Sequence, residues 1–302
     1  MIGRTTSAGK ALNGARNVSA RRILLDPAEI PASERAAAEA RFFESICMPN
    51  GTRKTTSTGR LRDVDTAVVS QLAKGASVNL LDIGISSGVT TDELIAELTS
   101  HGHQVQGVGI ELSVHAYLRR ILGIDVLFDR QGSVLQFSIL GRSQGRPDAS
   151  FTSIAARLFR AAIAASERLF VRRWAREPQR ATAVMLVNRR LQERTNFRIV
   201  EHDICAPMPE MPEKFDVIRA ANVLNLAYFS PADMKAIVSR LVEVLKPRGV
   251  LVICRTSVAD SSNNATIFQK AGDTSCQIRP VQRIGSGSEL EGWLIRESIC
   301  QA

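Results

Sequence analysis

The chain has few aromatics, little lysine and no long apolar run. Aromatic residues make up 5% of its 302 positions, with 2 Trp and 2 Tyr. No apolar stretch approaches the roughly 18 residues that suggest a membrane helix, so an integral membrane protein is not expected. The 5 cysteines (Cys47, Cys205, Cys254, Cys276 and Cys300) are an odd number without C-x-x-C spacing. That argues against a disulfide framework and against a zinc ribbon, and favours a reducing, cytoplasmic setting. The 4 histidines add no metal-ligand spacing. From Met1 to Leu25 there is no acid and no secretory apolar core, only Arg4, Lys10, Arg16, Arg21 and Arg22 among small residues. Glycines at 3, 9 and 14 spoil an amphipathic helix there, so a disordered basic arm is the expectation.

What is present is guanidinium. The net charge of +9 comes from 32 Arg and only 7 Lys against 30 acids. Such a balance suits acidic partners, namely phosphate, nucleic acid or an anionic membrane surface, and suits equally a solvated Arg-rich surface. With 44% hydrophobic and 23% charged residues the composition is that of a globular protein able to bury a core, one main domain with additions.

Periodicity organises the rest. Residues 27 to 48 open with Pro and a cap candidate, Ser33, and run into an Ala-rich helical pattern ending near Cys47. From Asp63 helix and strand alternate: a helix closed by Gly75, the strand "SVNLLDIG", a helix closed by Gly102, and the strand "VQGVGIEL". Further strands are "FRIVEHDI" and "KFDVIRAANVL", then a long helix capped at Ser230 and stopped by Pro247 and Gly249, then "VLVICRT". "ATIFQK" and "EGWLIRE" read as two final strands. This predicts an α/β protein with a doubly wound, seven-stranded, mainly parallel sheet and an antiparallel tail. Residues 1–60 form a basic arm and helical extension, and 61–302 the main domain. Roughly 85 residues separate the second strand from the third, where a crossover needs far fewer. The excess, about 115–192, is read as an insertion holding a hairpin that turns at Arg130 to Gly132, followed by a helix. Residues 151 to 180 of that helix carry seven Arg against two Glu, with Phe151, Phe159, Phe170 and Trp174 among them.

A parallel strand that ends in a glycine turn and feeds a helix offers backbone N–H groups and a positive dipole end to a nucleotide-like ligand. "LDIGISSG" does this with Asp82, Gly84, Ser86 and Gly88. It lacks the spacing of a dinucleotide fingerprint.

The same stretch resembles the first motif of class I S-adenosylmethionine (SAM)-dependent methyltransferases, with Ser86 replacing the middle glycine. "GVGIELS" resembles that family's second strand, "FRIVEHDI" the third, and "KFDVIRAANVLN" followed by "LVEVLKPRGVLVICRT" the fourth strand, helix and fifth strand, with Arg248 in place of a glycine. The resemblance covers about residues 63 to 112 and 196 to 302. It implies a Rossmann-like methyltransferase fold with S-adenosyl-L-methionine as cofactor. Glu111 would grip the ribose hydroxyls, Asp203 the adenine amine, and Leu112 and Ile204 the purine faces. Asp82 would meet the methionine ammonium directly or through water. Residues after the fourth strand, Ala221, Asn222, Asn225 and Tyr228, would face cofactor and acceptor, and His202, Tyr228 and His115 are candidate bases.

"RAANVLNLAYF" lacks the Asn/Asp-Pro-Pro-Tyr/Phe of amino-methylating enzymes, and the Lys-Asp-Lys-Glu set of ribose methylases is absent, which disfavours nucleic acid as substrate. The stretch has a loose likeness to chemotaxis-receptor methyltransferases. The expected activity is methyl transfer to a small-molecule or lipid-like acceptor. The rival reading is a non-catalytic protein of the same fold that binds nucleic acid or an anionic membrane through its Arg-rich insertion, a peripheral association.

Overall fold

The computed structural model describes residues 19–49, 51, 53–54, 57–121, 124–139, 142–145, 165, 168, 180–208, 214–257, 259–272, 277–297 and 299. The basic arm up to residue 18 and nearly all of the Arg-rich 151–180 segment lie outside these. The chain divides into two compact units, one of Met1–Thr55 with His115–Leu186 and one of Thr56–Val114 with Val187–Ala302. The sequence reading treats the N-terminal helix and the insertion as separate additions; in the structure they make one unit.

That first unit contains helices α1 (Ala20–Leu24) and α2 (Ala32–Ser45) and strands β3 (His115–Ile121), β4 (Ile124–Phe128), β5 (Val134–Ile139), β6 (Arg142–Gly145) and β7 (Thr182–Met185). All pairings in its sheet, ordered β6-β5-β4-β3-β7, are antiparallel. The expected hairpin is β4–β5, closed by Asp129, whose N–H donates to Ser133 O while its Oδ1 accepts from Ser133 N–H at 2.7 Å. Phe42, Phe43 and Ile46 cover the sheet residues Leu118, Leu127 and Leu135. α2 starts after Pro31, without a side-chain cap, so Ser33 lies inside the helix and not at its head. Proline there supplies a fixed φ and gives up only an N–H that would have no helical partner. Ser19 does cap, at α1, its Oγ accepting from Arg22 N–H at 3.4 Å.

The second unit holds a seven-stranded sheet in the order β12-β11-β10-β9-β1-β2-β8. Its strands are β1 (Ser77–Ile83), β2 (Gln104–Glu111), β8 (Phe197–Glu201), β9 (Phe215–Ala221), β10 (Leu245–Thr256), β11 (Asn263–Lys270) and β12 (Ile278–Ile284). From β8 to β10 every pairing is parallel, and β11 and β12 fold back antiparallel. The strand order reverses at β1, between β2 and β9, the place where open α/β sheets bind ligands at their carboxyl ends.

Alternation assigns the faces. Leu81 and Ile83 of β1 and Ile218 and Ala220 of β9 join one core with Ile237, Val238 and Leu241 of α6 (Pro231–Val244). Their neighbours Asp82 and Arg219 point to the other face, where α3 (Arg62–Ser70) and α4 (Val89–Ser100) lie. α6 begins as expected, with Ser230 Oγ accepting from Asp233 N–H. Its last residue, Val244, leads straight into β10.

One strand is placed differently. "EGWLIRE" forms helix α7 (Glu291–Arg296), and the seventh strand is "IRPVQRI". Leu290, Trp293 and Leu294 are buried together, a helical spacing too short to stand out in six residues. Pro280 is tolerated in β12 because this strand is the sheet edge and the ladder shifts register beside it.

Candidate functional site

The loop after β1 is built from residues in left-handed backbone: Gly84 (φ 71), Ser86 (φ 55) and Gly88 (φ 77). Serine can adopt this conformation at a modest cost, which explains how it stands where the motif has glycine. The glycines cannot be exchanged so easily. A Cβ on Gly84 would lie 2.1 Å from Val223 Cγ2, and one on Gly88 2.6 Å from Leu191 Cδ2.

The loop is held from three sides. Gly84 N–H donates to Ile110 O of β2 at 2.7 Å, and Ser86 N–H to Glu111 Oε2 at 2.7 Å. Asn188, which caps the short helix α5 (Arg189–Gln192), donates from N and Nδ2 to Ser87 O at 2.7 and 2.9 Å. Glu111 therefore stands at the tip of β2 against the loop, where the sequence places a ribose-binding acid. At the tip of β8, Glu201 accepts from Val114 N–H at 2.8 Å and His202 N–H donates to Glu111 O at 3.0 Å.

Beneath the loop lies an ion cluster that sequence reasoning missed. Arg219 of β9, 1% exposed, donates from Nε and Nη2 to the two oxygens of Asp82 at 3.0 and 2.6 Å, and from Nη1 to Asp65 of α3 at 2.8 Å. Thr91 of α4 donates to Asp82 Oδ2 at 2.6 Å. Burial opposes the charge on Arg219, but Asp82 and Asp65 outweigh it and hold its pKa above the ordinary value. Asp65 is raised to about 6: burial dominates, the Arg219 charge only partly offsets it, and Asp82 adds repulsion. Both oxygens of Asp82 are thus engaged, and an ammonium would meet this acid only by sharing them.

The other expected residues divide into buried and exposed. Asn222, at φ 62, ties β9 to β10: its Oδ1 accepts from Thr256 N–H at 2.7 Å and its Nδ2 donates to Thr256 Oγ1 at 3.2 Å. Thr256 continues the chain to Asn263, which donates to Asp63 and to Arg60 O. Asn225 is 6% exposed, and its Oδ1 accepts from Ala227 N–H at 2.8 Å. Tyr228 is 64% exposed. Ile204 is buried in the α6-side core, whereas Asp203 is exposed, its Oδ1 accepting from Cys205 N–H. His202 Nε2 is buried without a hydrogen-bond partner among the described residues. His115, the remaining base candidate, falls in β3 of the other unit. Among the described residues no cluster of His, Cys, Asp and Glu fits a metal ion.

A parallel sheet reversing at β1, with a left-handed glycine loop there and an acid at the tip of β2, defines a Rossmann-like α/β methyltransferase domain. The sequence profile described as CheR methyltransferase, SAM binding domain, matches residues 156–275, less than half of the chain and excluding the glycine loop. The chain is a SAM-dependent methyltransferase by this fold and profile, with S-adenosylmethionine as its cofactor. No curated protein matches it. Similar solved structures include the N-methyltransferase NodS from Bradyrhizobium japonicum WM9 with S-adenosyl-l-homocysteine (16% identity, 74% of this chain and 76% of that one, TM-score 0.33). Another is CalS10, an amino pentose methyltransferase from Micromonospora echinaspora (12%, 89% of each chain, TM-score 0.35). No described helix is long and apolar enough to cross a membrane.

Proposed function

We propose that the chain methylates an apolar acceptor, a small molecule or a lipid-like one, at the carboxyl ends of β1, β2 and β9. The carrying observation is where apolar surface is left uncovered. Among the described residues the exposed large hydrophobics are Leu112 (60%), Leu226 (42%), Tyr228 (64%) and Val281. Leu226 and Tyr228 lie in the loop following β9, on the ligand side of the sheet, while Leu112 follows β2, on the side this reading gives to the cofactor. Uncovered apolar side chains gathered at strand ends mark a binding site better than scattered ones do.

In this reading the loop Gly84–Gly88 passes its backbone against the cofactor, Glu111 accepts from the ribose hydroxyls, and Leu112 and Ile204 flank the base, with Asp203 beside them. The cofactor, when bound, supplies a methyl already activated as a sulfonium substituent. The protein's task is alignment and exclusion of water, which proximity rewards strongly. Asn222 and Asn225 give the acceptor wall its shape through the hydrogen bonds they make, and Ala221 leaves room beside them. Tyr228 and Leu226 provide its apolar lining.

Glu111→Gln keeps the shape but removes the charge, and is expected to weaken S-adenosylhomocysteine binding by at least tenfold, of the size of a charged hydrogen bond. Calorimetry measures it. Tyr228→Ala with Leu226→Ala should raise the acceptor KM severalfold while leaving that cofactor affinity unchanged. The deciding assay supplies methyl-labelled SAM with a panel of apolar and polar acceptors and follows the label by mass spectrometry. Transfer confined to polar, charged acceptors defeats the proposal.

A further inference from the structure

The buried cluster carries more charge than a structural ion pair needs. Two carboxylates, Asp65 and Asp82, surround one guanidinium, Arg219, leaving one negative charge in excess when both are ionised. Uncompensated charge is costly in a buried site, so a further cation or a proton is favoured there. Asp82 is two residues from Gly84, at the head of the loop. The groups acting on Asp65 from the surrounding elements are Arg219 of β9, Asp82 of β1 and Glu93 of α4. Cys254 of β10, Asp63 and Arg60 belong to the same electrostatic neighbourhood. Burial pushes the Cys254 thiol up to about 12, so it adds no charge near neutrality.

We propose that the Asp65–Arg219–Asp82 cluster acts as one unit with a single negative charge, which is balanced either by a proton on Asp65 or by the ammonium of the bound cofactor's amino acid. Asp82 then does not recognise the ammonium alone. Arg219 is a positioning residue that shares it with Asp65. The inference rests on the reading above, in which the loop after β1 receives the methionine portion. With Asp65 titrating at about 6, the proton is held below that pH and absent above it. Ligand and proton compete, so affinity rises as pH increases through about 6 and levels off beyond.

Calorimetric titration with S-adenosylhomocysteine at pH 6, in buffers of differing ionisation enthalpy, counts the protons released. The protein should release a larger fraction of a proton per ligand near pH 6 than at pH 8, where release should be close to none. Asp65→Asn should release none and lose the pH dependence. A merely structural role for the cluster would move stability but not this stoichiometry. No binding by the wild type overturns the site reading and the inference together. Binding without proton release, or with the same release from Asp65→Asn, overturns the inference alone.

Discussion

Arg219→Met is expected to remove about 3–5 kcal/mol of stability, the cost of leaving buried charges without their partner. Methionine fills much of the volume, so the loss reports charge. Asp82 loses two hydrogen bonds and Asp65 one, in a region where both are almost inaccessible to water. That is a large part of the roughly 5–15 kcal/mol that keeps a domain folded. Burial already raises the Asp65 pKa and Arg219 partly lowers it, so losing Arg219 lifts it further above the unfolded value, and the variant's deficit should shrink at pH 4 and be largest above pH 7. Urea unfolding at the two pH values measures this. Arg219→Lys, which keeps the charge but cannot fork to both acids, should fall between. A midpoint for Arg219→Met within 0.5 kcal/mol of wild type at pH 7, a margin typical of surface changes, would mean that the cluster does not hold the sheet and the loop together.

Gly84→Ala should abolish measurable cofactor binding while costing about 2–4 kcal/mol of stability, the sum of overpacking and of a left-handed backbone. The added Cβ would sit 2.1 Å from Val223 Cγ2, and φ is 71 at this position. Either the loop or the residues after β9 must move, and both belong to the proposed site. Val223→Ala in the same chain relieves the clash but not the backbone strain, so it should restore part of the stability and part of the S-adenosylhomocysteine affinity. Full activity in the single variant would refute the placement of this loop in the site.

Much of this was legible in the order of residues. Strands β1, β2, β8, β9 and β11 and helix α4 fall where apolar periodicity and Gly punctuation put them, because each is long enough to show its period, whereas α6 starts at its expected Ser230 cap but ends at Val244, and the expected stops Pro247 and Gly249 lie inside β10. α7 was misread as a strand because six residues carry too little period to separate helix from strand. In the first unit the hairpin β4–β5 was visible through its Arg130–Gly132 turn, but β3, β6 and β7 were not. Their pairing depends on neighbours rather than on a local signal. Asp82 and Glu111 were found at strand ends. Arg219 was not, although a lone guanidinium between Ile218 and Ala220 in an apolar strand was a signal to follow.

From its sequence alone the chain determined the parallel strands and the glycine loop after the first of them, since both are written in local patterns within single strands and turns, and the cofactor followed from the family resemblance those patterns carry. Tertiary structure decided the electrostatics of that loop. Arg219 is separated from Asp82 by 137 residues and from Asp65 by 154. No local pattern links positions so far apart. Only the packing of β9 beside β1, under α3, brings the three charges together, and burial makes their balance matter.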